Sequence, residues 1–455
     1  MKKYDAIVVG SGCGMIIVDE ALNHGLKVAL VDKGPFGGTC LNLGCIPSKM
    51  LIYPADRVVE IEEARKLGIR AKVTSVDFGA IMRRMRNHTG DEHKRLRHDI
   101  THVKNLDFYE GVGHFVADYT MAVNGERIKS DRIFLASGSR PFIPPIKGVD
   151  SVDYLTSETV LQLGEKPESL IIIGGGYVAV EYGHFFAAMG TKVTILEMAD
   201  RLILSEEPEI ARVLQKELSK RMDVFTNTQA EEAKGSAGGV TVMVKDRKTG
   251  AQREVTAQRL LIAVGRASNA DLLKLENTGV ETDKRSFIKV DDYLETTKRH
   301  IYAVGDANGQ QMFTHIANRE AQLVANNVLH DAKEKMDYSA APHAVFSHPQ
   351  IASVGLTEEN ARKDHEVLVG VARYLDVALG GAMLEKAGLA KVIVEKDSGK
   401  ILGFHIIGPH ASILIQEVIN AMASKLNIAE MARGIHIHPA LTELIPATFN
   451  SIEEV

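Results

Sequence analysis

The chain is expected to be an α/β protein in which one strand, glycine turn, helix and strand unit occurs twice and a separate α+β segment follows. Two observations predict this. Apolar strands near residues 6–9 and 170–173 run into glycine turns of matching spacing, and from about Ala341 the pattern becomes strands mixed with an apolar-faced helix. A length of 455 residues agrees, because it exceeds one compact core and implies two to four domains.

In the first unit Ala6-Ile7-Val8-Val9 enters the turn Gly10-x-Gly12-x-x-Met15, which includes Gly14, and Val28-Ala29-Leu30-Val31 ends at Asp32-Lys33. In the second, 164 residues later, Leu170-Ile171-Ile172-Ile173 enters Gly174-x-Gly176-x-x-Ala179, and Val193-Thr194-Ile195-Leu196 ends at Glu197. The spacing has a physical cause. The first glycine makes a tight turn, the second lets backbone N–H groups approach a pyrophosphate, and the helix N-terminus adds positive potential. The acid one helix and one strand later accepts hydrogen bonds from a ribose diol. One such turn alone could be an ordinary glycine turn. Two copies, each with its terminal acid, predict two Rossmann-like dinucleotide sites. Met15 stands where a third glycine is usual and should widen the approach of helix to strand.

Glycine-marked strand exits recur at Ile133-Phe134-Leu135-Ala136-Ser137-Gly138 and at Leu260-Leu261-Ile262-Ala263-Val264-Gly265, the first followed by a proline-rich boundary. Strands are expected at Lys391 to Val394 and Leu402 to Ile407, and a helix from Ser412 to Lys425.

Composition removes several classes of function. Hydrophobic residues make up 45% and charged residues 25%, as in ordinary globular proteins. A net charge of -5 gives no general attraction to nucleic acid or anionic lipid. Three cysteines do not make a disulfide framework, so a reducing, cytoplasmic setting is expected. Asp5 interrupts the faint signal-peptide likeness of the N-terminus. The most apolar stretch, Ile171 to Gly190, contains three consecutive glycines, Glu181 and His184, so no membrane span is predicted.

Cys40-Leu41-Asn42-Leu43-Gly44-Cys45 carries the most chemistry. Residues five apart in one helix are separated by about 7.5 Å of rise, beyond the roughly 7 Å Cα limit for a disulfide. The two can therefore bridge only if Cys40 precedes the helix. Gly37-Gly38 and Gly44 supply that freedom, and Pro47 is tolerated only near a helix start. Cys45 should thus sit at a first turn, where unpaired N–H groups lower a thiol's pKa. Two nearby thiols with no redox role are the alternative that the spacing alone leaves open.

The run Gly37-Gly38-Thr39-Cys40-Leu41-Asn42-Leu43-Gly44-Cys45-Ile46-Pro47-Ser48-Lys49, with both glycine turns, resembles the FAD-dependent pyridine nucleotide-disulfide oxidoreductases, which include dihydrolipoamide dehydrogenase, glutathione reductase and mycothione reductase. The resemblance implies that Cys40 exchanges with substrate and Cys45 forms a charge-transfer contact with the flavin. It assigns Gly10, Gly12, Gly14, Asp32, Lys33, Gly38, Thr39, Lys49, Ser137, Gly138, Gly305 and Asp306 to FAD. Gly174, Gly176, Tyr177, Glu181, Glu197 and Gly265 fall to the nicotinamide nucleotide. Tyr177 would cover the flavin face that nicotinamide visits, and Glu181 would pair with Lys49 near flavin N5, where a cation favours the reduced ring. Glu197 repels a 2′-phosphate and favours NAD(H) over NADP(H), although Arg201 lies close in sequence.

Near the C-terminus, His436-Ile437-His438-Pro439-Ala440-Leu441-Thr442-Glu443 resembles the family's acid–base motif. His438 would exchange a proton with Cys40 and the substrate thiol, and Glu443 would orient its imidazole. His436 and His438 lack the further ligands of a metal site, so no metal is expected. The family also implies a homodimer with shared sites, formed by the C-terminal domain. Expected boundaries are residues 1–148 and 269–340 for the FAD domain, 149–268 for the NAD domain and 341–455 for dimerisation. Cys13 is expected to be structural.

The expected activity is that of a dihydrolipoamide dehydrogenase. Lys49-Met50-Leu51-Ile52-Tyr53, Gly408-Pro409-His410-Ala411-Ser412 and Glu430-Met431-Ala432-Arg433-Gly434 are similar instead to mycothione-type reductases, so a small-thiol disulfide reductase is the second reading. A third is a flavoprotein subunit that docks on a lipoyl carrier. Residues 83–104 hold seven Lys or Arg, four His and three acids. They are expected to be a solvated helix face broken at Thr89-Gly90, or a guide for an anionic disulfide.

Overall fold

The computed structural model describes residues 1–236 and 238–452. The chain divides into two compact units, Met1–Ser48 with Arg83–Phe142 and Gly265–Met336, and Lys49–Met82 with Ile143–Val264 and Asp337–Val455.

The first unit centres on a parallel sheet in the order Ile301–Ala303, Ile133–Leu135, Ala6–Val9, Val28–Asp32, Leu106–Glu110. Ala6–Val9 and Val28–Asp32 are buried throughout, as strands covered on both faces must be, and this explains their unbroken apolar runs. Ala6–Val9 lies between its successor in the chain and a much later strand. The strand order reverses there, which opens a crevice beyond the carboxyl ends.

The second unit repeats the arrangement. Its parallel sheet runs Tyr154–Leu155, Arg259–Ile262, Ser169–Ile173, Lys192–Leu196, Asp223–Phe225. The correspondence extends to single hydrogen bonds. Gly10 N–H donates to Val31 at 2.8 Å, and Gly174 N–H to Leu196 at 2.9 Å. Ala136 N–H donates to Val9, and Ala263 N–H to Ile173, both at 2.8 Å. Gly10 and Gly174 take φ of +104° and +112°, and a Cβ on either would strike the carbonyl of Ala136 or Ala263. Only glycine fits at these two positions.

Met15, at the third-glycine position, is not the residue that faces the strand most closely. The close contact falls one residue earlier, at Gly14, where a Cβ would lie 2.9 Å from Val8 Cγ1, while Met15 packs at the edge of the same core. The basic segment also differs from expectation. The helix Phe78–Ile100 runs through Thr89-Gly90 without a break, and Thr89 Oγ1 donates to the Met85 and Arg86 carbonyls, both at 3.2 Å. Arg95 and Arg97 pair with Glu92 and Glu110.

The C-terminal part is a five-stranded antiparallel sheet, ordered Pro342–Val345, Gln350–Gly355, Ile401–Gly408, Leu389–Glu395, Val367–Arg373. The expected helix over 412–425 forms as Ala411–Leu414 and Gln416–Ala423, which meet at Ile415. These pack Leu414 and Val418 against Phe404 and Ile406 in one core. Lys391 on this sheet is 3% exposed, and its ammonium is held by Glu207, Glu209 and Glu358 at 2.7, 2.5 and 2.6 Å. A buried cation is tolerable only when so paired. No helix among the described residues is long and apolar enough to cross a membrane.

Candidate active site

Cys40 lies in the short helix Gly38–Asn42, and Cys45 opens the long helix Cys45–Glu63. The break between them, at Leu43-Gly44, lets two residues five apart face one another. Both are thiols in this structure. The hydrogen bond with Cys45, and then burial, push the Cys40 thiol well above its ordinary pKa, while Thr314 pulls it partly down. Ionisation of Cys40 beside Cys45 is therefore disfavoured, because two adjacent thiolates would repel. Cys45 Sγ is 3.3 Å from Thr314 Oγ1, and Thr314 opens the helix Thr314–Leu329. Two helix N-termini thus converge on Cys45, and their positive ends favour negative charge on its sulfur.

The sulfur segment is anchored to the first glycine turn. Gly37 N–H donates to Ser11 Oγ at 2.8 Å, and a Cβ on Gly38 would lie 2.7 Å from Gly12 Cα. At the end of the neighbouring strand, Asp32 Oδ2 and Oδ1 accept N–H groups of Ser11 and Gly34, each at 2.5 Å, which fixes the carboxylate while leaving lone pairs for a ligand. The helix Gly14–Asn23 has no side-chain cap at its N-terminus. Ser137 Oγ is buried without a partner, an arrangement that costs stability unless a bound group completes it. Asp306 is held by Ser139 Oγ at 2.5 Å and lies 3.5 Å from Arg266 Nε. Gly138 takes φ of +67° beside it, Thr39 is half-buried and Lys33 is exposed. These residues fit the ribose, pyrophosphate and polyol of an FAD.

In the second glycine turn, Glu197 Oε1 accepts Ala199 N–H at 2.6 Å, and a Cβ on Gly175 would fall 2.7 Å from Glu197 Oε2. Ile203 N–H closes the loop onto the Gly175 carbonyl at 2.9 Å, and Arg201 Nε is buried without a partner. Gly176 precedes the uncapped helix Tyr177–Ala188. Arg201 Nη1 meets Asp200 Oδ1 at 3.4 Å, and its Nε is left over. A fixed acid, an uncapped helix start and that free Nε fit an adenosine ribose and its phosphates. Gly265 is grouped with the first compact unit and takes φ of +134°.

Lys49 Nζ donates to Glu181 Oε2 at 2.8 Å, and Glu181 Oε1 accepts the Phe346 N–H at 3.0 Å. The ammonium also lies 4.5 Å from the centre of the Phe346 ring. Glu181 is thus held by two donors, and Lys49 has a fixed place.

His438 Nδ1 meets Glu443 Oε1 at 2.8 Å, and Glu443 Oε2 accepts Ala440 N–H at 3.0 Å. The His438 bond and then the Ala440 N–H hold the Glu443 carboxyl below the usual range. With Nδ1 turned to the carboxylate, His438 Nε2 is left for proton exchange, and the side chain is 71% exposed. His436 turns to its own acid, Glu417, at 2.8 Å.

The structure therefore brings the expected residues together as Cys40 with Cys45, Lys49 with Glu181, and His438 with Glu443. It adds Thr314, Phe346, Ser139 and Arg266, which the sequence reading missed. Thr314 had a weak signal, a hydroxyl residue at the start of an apolar-faced helix. Phe346 had none, because it acts through its backbone and ring.

Residues 4–321 match the pyridine nucleotide-disulphide oxidoreductase family, and residues 341–448 match the dimerisation domain of the same enzymes. The chain is 37% identical to mycothione reductase of Mycobacterium tuberculosis and 34% identical to dihydrolipoyl dehydrogenase of Synechocystis sp., in each case over 98% of both proteins. Its fold matches the Cu(II) complex of the HOCl-induced flavoprotein disulfide reductase RclA from Escherichia coli, with a TM-score of 0.88, 28% identity and 100% of each chain covered. The protein belongs to the pyridine nucleotide-disulphide oxidoreductase family. It is an FAD-dependent enzyme that works with a pyridine nucleotide.

Proposed function

We propose that this enzyme oxidises dihydrolipoamide with NAD, and that Cys40, Cys45, His438, Glu443, Lys49 and Glu181 carry the chemistry. The observation that carries the thiol chemistry is the pairing of two sulfurs across the Leu43-Gly44 break, with Cys45 at the head of its helix and 3.3 Å from Thr314 Oγ1. His438 Nε2 takes the proton of one substrate thiol, and the thiolate attacks Cys40 Sγ of the closed pair. The Cys40–Cys45 bond breaks and leaves the electron pair on Cys45. The second substrate sulfur then attacks its partner sulfur in the mixed disulfide, and Cys40 leaves with the first proton, handed over by His438. The freed imidazole accepts the proton of the second thiol and passes it to solvent, and substrate leaves as the disulfide. FAD bound at the first glycine turn would supply the two-electron relay between the sulfur pair and the nicotinamide. Lys49, fixed by Glu181, supplies positive charge near that relay, and Glu443 keeps the imidazole oriented.

Glu197 supports NAD(H), since a carboxylate fixed by the Ala199 N–H at the end of its strand would accept a ribose diol and repel a 2′-phosphate. FAD is assigned to Gly10, Gly12, Gly14, Asp32, Lys33, Gly38, Thr39, Ser137, Gly138, Gly305 and Asp306, and the nicotinamide nucleotide to Gly174, Gly176, Tyr177, Glu197 and Gly265. Residues 1–148 and 269–340 form the flavin domain, 149–268 the nicotinamide domain and 341–455 the interface domain. The working form is a homodimer in which His438 serves Cys40 of a second copy. The match to a dimerisation domain and the full exposure of Ile435, with Ile437 at 77%, support this. Its thiol chemistry suits the reducing cytoplasm.

A second reading, NAD(P)H-dependent reduction of a small-thiol disulfide, is favoured by the 37% identity to mycothione reductase. Initial rates of the purified yellow protein decide between them. Dihydrolipoamide with NAD should give the higher kcat/KM. A higher value for NADH or NADPH with mycothione or glutathione disulfide would replace the first reading by the second.

A further inference from the structure

Away from the redox residues, the described part of the chain holds two groups of three His or acid side chains whose ligand atoms lie within 4.8 Å of one another. In one, Glu207, Glu209 and Glu358 already surround the Lys391 ammonium, so the cation there is the protein's own. The other is Glu20, His24 and His330. We propose that these three side chains bind a divalent transition-metal ion of the Zn2+ class.

The donor set suits such an ion. Two imidazoles and one carboxylate are borderline ligands that leave a fourth, tetrahedral position for water. Zinc with bonds of about 2.0 to 2.1 Å requires ligand atoms roughly 3.4 Å apart. Glu20 Oε1 lies 2.8 Å from His330 Nε2 and 3.9 Å from His24 Nδ1, values that straddle this spacing. The two rings stand edge to face with centroids 4.5 Å apart. To ligate through Nδ1, His24 gives up only its 2.9 Å contact with the Glu20 carbonyl. The three side chains are between 27% and 47% exposed, so an ion and a water can reach them.

The backbone adds a second reason. His24 is the C-cap of the helix Gly14–Asn23, and His330 is the C-cap of Thr314–Leu329. Two helix C-termini therefore meet at the Glu20 carboxylate, and the negative ends of both dipoles favour a cation. The helices are locked together below the site, since Ile17, Ala21, Ala321 and Val324 share one buried cluster. The ligands thus stand on packed helices, and the ion would staple the ends of both.

The test is Zn2+ titration by calorimetry on the oxidised holoenzyme, in which the closed Cys40–Cys45 bond removes the thiols as competing ligands. Wild type should bind one ion at this site, and His24→Ala, His330→Ala and Glu20→Gln should each weaken that event by about ten-fold or more. Turnover without zinc should be the same in wild type and in the three variants. Zn2+ should also raise the thermal midpoint of wild type and leave that of the His24→Ala, His330→Ala double variant in place. Unchanged binding in both single histidine variants, or an equal thermal shift in the double variant, would overturn the site.

Discussion

His184 Nε2 lies 2.8 Å from Asp56 Oδ1, and the imidazole is only 1% exposed. Asp56 stands seven residues beyond Lys49 on the Cys45 helix, and His184 stands three beyond Glu181 on the Tyr177 helix. The two helices are therefore tied twice, by Lys49 with Glu181 and by Asp56 with His184. Asp56→Ala leaves a buried imidazole N–H without an acceptor and should lower stability by about 1 to 3 kcal/mol in chemical unfolding. Asp56→Asn keeps an acceptor oxygen and should recover most of the loss. Equal losses in both variants would show that the bond does not hold the helices.

Replacing Cys40 or Cys45 by serine should reduce dithiol turnover by about a thousand-fold or more, because neither sulfur can complete the exchange alone. FAD content should remain that of wild type. Dithiol turnover at the wild-type rate in either variant would remove the sulfur pair from the mechanism.

At the second nucleotide site, Glu197→Gln removes the charge that faces a 2′-phosphate while keeping an acceptor for Ala199 N–H. The ratio of kcat/KM for NADPH over NADH should rise by about ten-fold or more, equivalent to some 1.4 kcal/mol. An unmoved ratio would transfer selectivity to another residue, with Arg201 first in line.

Glu443 is held ionised by His438 and the Ala440 N–H, so its orienting role persists at neutral pH and is lost only as its carboxyl protonates in acid. Glu443→Gln should reduce kcat/KM for the dithiol by about a hundred-fold, the scale of one proton-transfer contribution. A loss confined to KM would point to substrate binding instead.

Burial holds the His184 and His405 imidazoles below the ordinary histidine value of 6.5, with Asp56 drawing His184 partly back. Both stay neutral in the fold at a pH where the unfolded chain has begun to take up protons. Stability should therefore fall below about pH 6.5, by about 1.4 kcal/mol per pH unit for each histidine, and show no such loss above it. Unfolding curves at pH 7, 6 and 5 should be less pH-dependent in His405→Gln, by about one proton. Identical slopes would clear His405 of this role.

The two glycine turns were legible because they are local: a strand runs into a tight turn, and the acid follows the first glycine by 22 or 23 residues, after one further helix and strand. The same holds for Cys40 and Cys45 and for His438 and Glu443, each five residues apart. The close contact of Gly14 with Val8 was not legible, because the closest approach of helix to strand depends on helix phase. Thr89-Gly90 was misread as a break, because a 23-residue helix packed along one side outweighs the modest helix penalty of one glycine.

What the sequence determined by itself is the duplicated nucleotide fold, the sulfur pair and the acid–base pair, since their spacing along the chain already encodes their geometry. Only the tertiary structure decided that Lys49 meets Glu181 and Phe346, that Thr314 meets Cys45, and that His184 meets Asp56. Those partners are separated by more than 100 residues, and their meeting depends on how whole sheets and helices pack rather than on any local period.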